Sequence, residues 1–184
     1  GGAANVARNI TALDGAATLL SVVGNDEAGD SLVRLLDGER VKHNLHRDAE
    51  LSTTVKLRVI GQQQQLLRID FERMPSGEVL ASKLDDFERQ VDAVDAVVLS
   101  DYGKGVLSER VCRAIIAEAR RFRVPVVVDP KGTDFARYYG AIAICPNAKE
   151  LAAVTGESAG DLQRHGDRRM QTPAELAVDS PAES

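Results

Sequence analysis

Three runs in the second half of the chain constrain its fold more than any other feature: DAVVLSDYGKG, VPVVVDPKG and GAIAICPN. Each is continuously apolar over the length of a strand, and each ends in polar or glycine residues. Between the first two, Val111, Ile115, Ala119 and Phe122 recur at helical spacing. After the third, AKELAAVTG starts a helix closed by Gly156. Apolar strands separated by helices are buried on both faces and belong to a parallel sheet. Such sheets bind ligands beyond the carboxyl ends of their strands. The clusters Asp101–Lys104, Asp129–Lys131 and Asn147–Glu150 all fall at ends of this kind.

The first forty residues read helix, strand, helix. Val6, Ile10 and Leu13 make one apolar face that Gly15 stops, AATLLSVVG is a strand, and NDEAGDSLVRLLDGERV carries acids in its first turn and leucines after it. The texture then changes. VKHNLHR, TTVKLRVIG and QLLRIDFE alternate or are rich in β-formers with no helix between them, which predicts a small antiparallel excursion over about residues 41–72. Leu80, Leu84, Phe87 and Val91 restore the helical stripe. The fold expected is α/β: a parallel sheet covered by helices, with a small antiparallel β element. The ordered domain is expected over residues 1–157. Residues 158–184 lose the apolar period and read as a disordered tail.

Composition closes off several functions. Aromatics are 4% with no Trp, which argues against a stacking platform for single-stranded nucleic acid, and a net charge of −5 argues against a broad phosphate-backbone footprint. No apolar run has membrane length and no signal-peptide pattern is present, so the cytoplasm is expected. Cys112 and Cys145 read as buried free thiols. His43, His46 and His165 have no carboxylate or cysteine at ligand spacing and read as surface residues.

The chemistry-bearing residues sit at junctions. The chain opens GGAANVARN; a Gly-Gly doublet before a helix lets backbone approach a ligand, and Asn5 offers both a donor and an acceptor, as a polyol requires. SDYGKG brings an acid, a phenol and an amine to one strand end. DPKGTD presents Lys131 after Asp129 and Pro130. PNAKE places Asn147 and Glu150 three apart at a helix start, a spacing that an ordinary cap with a first-turn acid explains equally well. No G-x-G-x-x-G follows a strand, which weakens a dinucleotide-binding reading.

Together these motifs resemble the ribokinase-like carbohydrate kinase family. GGAANVARN is similar to its G-G-x-x-x-N-x-A signature, which lines the sugar pocket, and PNAKE is similar to its N-x-x-E motif. The β excursion lies where the family carries a lid that closes over the sugar and often mediates dimerisation. TTVKLRVIGQQQQLLRIDFE, VVLSDYGKGVL and VPVVVDPKGTDFARYYGA resemble in particular the heptose 7-phosphate kinases of that family. The resemblance implies ATP and Mg²⁺ as cofactors, a sugar phosphate as small-molecule partner, and a homodimer formed through the lid. Gly1, Gly2, Asn5, Lys56, Arg58, Arg68, Asp101, Lys104 and Lys131 are the implied substrate contacts. Asn147 and Glu150 would act on magnesium through water, with no direct metal ligand.

The family also has an N-terminal strand with an early sugar-binding Asp before the Gly-Gly, and a second signature, D-T-x-G-A-G-D, that carries the catalytic Asp. Neither occurs in this sequence; the AGD at Ala159–Asp161 lacks the flanking residues. The expectation is therefore a kinase sequence cut short at both ends and inactive by itself. The alternatives are a non-catalytic sugar-binding or dimerising remnant and a kinase for another sugar.

Overall fold

The computed structural model describes residues 2–61, 64–71, 77–103 and 105–156. The expected tail, Gly1 and Lys104 lie outside these residues. Two compact units divide the chain, residues 1–87 with 104–106 and residues 88–103 with 107–184.

In the first unit, helix α1 (Gly2–Ala12) leads to strand β1 (Thr18–Gly24), helix α2 (Glu27–Gly38) and strand β2 (Lys42–Asp48). Ala7, Leu19, Leu36 and Val41 form its buried core. Ala3, Ala4, Ala17, Leu32 and Leu45 pack against that core, the alanines of α1 letting the helix lie close. Asp26 caps α2 by accepting the Gly29 N–H at 2.8 Å, and Glu27 and Asp30 place negative charge in the first turn. Strands β3 (Val55–Gly61) and β4 (Gln64–Phe71) pair antiparallel, with an irregularity between Val59 and Ile60, and helix α3 (Gly77–Glu88) follows.

The antiparallel excursion is shorter than its sequence suggests. Residues 42–48 pair in parallel with β1, from Thr18 opposite Lys42 to Gly24 opposite Asp48. The helix between the two strands supplies the crossover that a parallel pair needs. KHNLHRD reads as a half-wet strand because β1 is its only partner among the described residues. The antiparallel element thus begins at Val55.

The second unit carries a three-stranded parallel sheet in the order β5 (Val97–Ser100), β6 (Val126–Asp129), β7 (Ala143–Ile144). Helix α4 (Glu109–Arg121) starts at the Ser108 cap, carries Glu109 in its first turn and Arg120 and Arg121 in its last, and buries Val111, Cys112, Ile115, Ile116 and Ala119. It packs against the 3₁₀ turn Ala136–Tyr138. Helix α5 (Ala148–Thr155) begins in a capping box between Asn147 and Glu150 and ends at Gly156 in the left-handed conformation. Among the described residues the parallel strands pair in two ladders, one in each unit, each with its helices.

The two thiols differ. Cys112 is buried, and burial pushes its pKa up. Cys145, expected to be buried, is exposed. Its N–H still donates to Val128 O at 2.8 Å, but β7 has ended by then and lies at the edge of the sheet.

Candidate active site

The ends of β5 and β6 are joined by a buried polar cluster. Asp101 follows β5 directly, is 4% exposed, and has both carboxylate oxygens engaged. Oδ1 accepts the Gly103 N–H at 2.7 Å, which folds the chain back after the strand; Gly103 sits at φ +65°, a conformation that suits glycine. Oδ2 accepts the Tyr138 hydroxyl at 2.7 Å, and Arg137 Nη2 lies 3.5 Å from the same oxygen. Arg137 also donates to Leu107 O and lies 5.4 Å from the Tyr138 ring centroid. Tyr138 is fully buried. Burial, and then donation to Asp101, push its phenol pKa up, so the hydroxyl keeps its proton.

The end of β6 hangs from the same phenol. Lys131 N–H donates to Tyr138 Oη at 3.3 Å. The Lys131 stem passes the Gly103 backbone, its Cγ 3.5 Å from where a Cβ on Gly103 would stand, and its Nζ meets Glu150 Oε1 at 3.1 Å. Glu150 Oε2 accepts the Asn147 N–H at 3.1 Å, and Asn147 Oδ1 accepts the N–H groups of Lys149 and Glu150 at 3.0 Å. Burial acts to raise the Glu150 pKa, but the Asn147 N–H and the Lys131 ammonium outweigh it and hold the carboxyl below its ordinary value. Asp129 moves the other way. Burial raises its pKa first, the Glu150 charge adds to that, and a Tyr102 hydrogen bond opposes them.

Of the expected site residues, Lys131, Asn147 and Glu150 come together in the second unit. Asp101, expected as a substrate contact, is buried with its carboxylate taken up by the Gly103 N–H and the Tyr138 hydroxyl. Tyr138 and Arg137 were not expected, while Tyr102 is the phenol that SDYGKG brings to its strand end. The signal for the first two was the ARYYG stretch, whose aromatic and basic residues sit in a short turn with no period of their own. In the first unit, Gly2 opens α1, and Asn5 and Lys56 are exposed. Arg58 and Arg68 stand directly opposite each other in the β3–β4 register, and Lys56 opposite Asp70.

A second cluster in the first unit also escaped the sequence. Gly24 N–H donates to Thr53 Oγ1 and Thr53 N–H to Asp26 Oδ2, each at 2.8 Å. A Cβ on Gly24 would stand 2.4 Å from Leu51 O, so only glycine fits. The clasp ties the end of β1 to the segment that enters β3.

A profile of the pfkB family carbohydrate kinases matches residues 1–176. The chain belongs to the pfkB family of carbohydrate kinases. The match runs past the boundary expected near residue 157. A D-beta-D-heptose 7-phosphate kinase of Bordetella bronchiseptica is 49% identical over 156 residues, covering 85% of this chain and 49% of that protein. A bifunctional protein HldE of Pseudomonas entomophila is 46% identical over 163 residues, covering 89% of this chain and 34% of its own length. That of Halorhodospira halophila is 43% identical over all 184 residues and 37% of its length. The chain thus spans between a third and a half of the curated relatives it matches. Among solved structures, phosphofructokinase-2 of Escherichia coli in complex with potassium aligns with a TM-score of 0.67 at 21% identity, covering 89% of this chain and 55% of that one. At that identity the likeness establishes the pfkB fold alone.

Among the described residues no group of three or more His, Cys, Asp or Glu is arranged to hold a metal ion, and no helix is long and apolar enough to cross a membrane. The donor set at the start of α5 nevertheless fits magnesium held mainly by water and phosphate. Glu150 is kept ionised, and the partly buried carboxyl of Asp129 lies close enough to feel its charge. Magnesium dehydrates reluctantly and needs only one or two carboxylates beside substrate phosphates.

Proposed function

We propose that the protein containing this chain transfers the γ-phosphoryl group of ATP to O1 of D-glycero-β-D-manno-heptose 7-phosphate, giving the 1,7-bisphosphate on the route to ADP-heptose and the lipopolysaccharide core. The observation that carries this reading is the 49% identity to a heptose 7-phosphate kinase over 85% of the chain. The strand-end geometry agrees with it: a cation, Lys131, and an ionised carboxylate, Glu150, are held together where an open parallel sheet binds its ligand.

In this reading Gly1, Gly2 and Asn5 hold the sugar hydroxyls. Lys56, Arg58 and Arg68 meet the sugar or its 7-phosphate, Lys104 and Lys131 offer further cationic contacts, and Asn147 and Glu150 orient the water around magnesium. Magnesium, when bound, neutralises charge on the transferring phosphates. The residues of this chain bind and orient. The ammonium of Lys131 is half exposed, so a phosphate oxygen can approach it while Glu150, 12% exposed, keeps its hold on it. The protein works in the cytoplasm as a homodimer paired through the β3–β4 lid.

The test is a coupled ADP-release assay of the complete gene product with heptose 7-phosphate and Mg-ATP, with ³¹P NMR of the product. The expected result is turnover together with a new anomeric phosphate signal. Transfer to another sugar with none to heptose 7-phosphate would overturn the substrate, and no transfer to any sugar would overturn the kinase reading.

A further inference from the structure

Tyr138 has a more defined task than filling the core. A fully buried phenol has one proton to give and lone pairs to accept, and here both are committed. The proton goes to Asp101 Oδ2 at 2.7 Å, so the Lys131 N–H, 3.3 Å away, meets a lone pair. That N–H is the first donor after β6, because Pro130, also buried, has none. The place of the Lys131 backbone is therefore set by the phenol, whose own place is set by Asp101. Beyond it Gly132 turns away at φ +82°. The Lys131 side chain returns across Gly103 to Glu150, which the Asn147 N–H fixes from the other side. One continuous run of contacts leads from the end of β5 to the first turn of α5.

We propose that Tyr138 is a positioning residue of the phosphoryl-transfer site: anchored on Asp101, its hydroxyl sets the backbone of Lys131 and, through the Lys131 ammonium, the carboxylate of Glu150. This rests on the kinase reading above. A phenylalanine at 138 keeps the ring and the packing but frees the Lys131 N–H and leaves Asp101 Oδ2 with Arg137 alone. Displacement of an orienting group by about an ångström costs up to about 10²-fold in rate.

The experiment is a double-mutant cycle on the complete gene product: Tyr138→Phe, Lys131→Met and the pair, assayed by ADP release with heptose 7-phosphate and Mg-ATP. Tyr138→Phe is expected to lower kcat about tenfold or more, within the range that misplacement explains. On the Lys131→Met background it is expected to cost nothing further, because the group it positions is gone. Wild-type kcat in a folded Tyr138→Phe, or the same loss in both backgrounds, would overturn the proposal and leave Tyr138 a packing residue. If Tyr138→Phe gives no cooperative thermal transition, Asp101→Asn enters the same cycle and is judged by the same non-additivity. If the wild-type protein acts on another sugar, the cycle is read on that sugar. If it transfers to none, the cycle is read in Mg-ATP binding by calorimetry: weaker binding in Tyr138→Phe only when Lys131 is present supports the proposal, and any other pattern overturns it. Failure of the heptose assignment is thus separate from failure of the positioning role.

Discussion

Asp129 ends β6 partly buried, within the field of Glu150 and Asp101. Its folded pKa stands above the unfolded value, chiefly from burial and then from the Glu150 charge. A carboxyl raised in this way contributes stability that is fully present below its unfolded pKa, about 4, and is lost as pH rises through the folded value. At neutral pH the ionised group works against the fold. Asp129→Asn keeps the shape and an acceptor for Tyr102, so it is expected to raise the melting temperature at pH 7 and to do so less at pH 4. Thermal melts at the two pH values check this, and a lower midpoint at pH 7 would contradict it. A residue that weakens the fold at a strand end is what a ligand site leads one to expect. The polar residues at these ends were legible because glycine and charge interrupt an apolar run. The fate of each was not. Asp101 lies one residue past β5 and Asp129 is the last of β6, both at the end of an apolar run, and only the long-range arrival of Tyr138 and Arg137 makes Asp101 an internal anchor.

The helices were legible because their apolar stripes are local, and their starts are set just as locally. Ser108 before α4, Asp26 before α2 and the Asn147–Glu150 box before α5 each mark a helix start within four residues. β2 was legible as a strand but its partner was not, since KHNLHRD alternates in the same way whether it pairs with β1 or with β3. Helix α3 hides another long-range fact. Lys83, on its apolar side, is buried with its ammonium 2.6 Å from Asp86 Oδ2 and 2.9 Å from Asn44 Oδ1 on β2. Asp26 is the element-scale residue with the sharpest consequence, because it caps α2 and also holds Thr53 at the entry to β3. The Thr53 hydroxyl and N–H, then the Gly29 N–H, hold its pKa below the ordinary value. A lowered carboxyl contributes stability that is present above its unfolded pKa, about 4, and is lost as pH falls through the folded value. Asp26→Ala is expected to cost about 1–2 kcal/mol, the upper range for an N-cap. It is also expected to flatten the acid limb of the stability curve. Urea titrations from pH 3 to pH 7 measure both, and an unchanged acid limb would show that the clasp contributes nothing.

At the scale of the whole molecule, the class of fold came from the apolar runs, while the division into two units did not, because periodicity is local and chain partition depends on which distant segments meet. The β3–β4 ribbon is where this bears on assembly. The register sets Val55 opposite Phe71, Leu57 opposite Ile69 and Val59 opposite Leu67, alternating with Lys56 opposite Asp70 and Arg58 opposite Arg68. Among the described residues neither strand pairs with any further strand. Val55 is 41% and Leu67 51% exposed. A two-stranded ribbon is marginal alone, and unpaired strand edges invite another copy. The protein is therefore expected to sediment as a dimer at high micromolar concentration, with the apolar faces of two ribbons covering each other. Leu67→Lys places a charge in that contact, which is unfavourable without a partner. It is expected to shift the species to monomer while the far-UV circular dichroism stays the same, because the residue is already exposed in the single chain. A wild-type protein that remains monomeric across the concentration range would remove the ribbon from assembly and leave its apolar face to the sugar site.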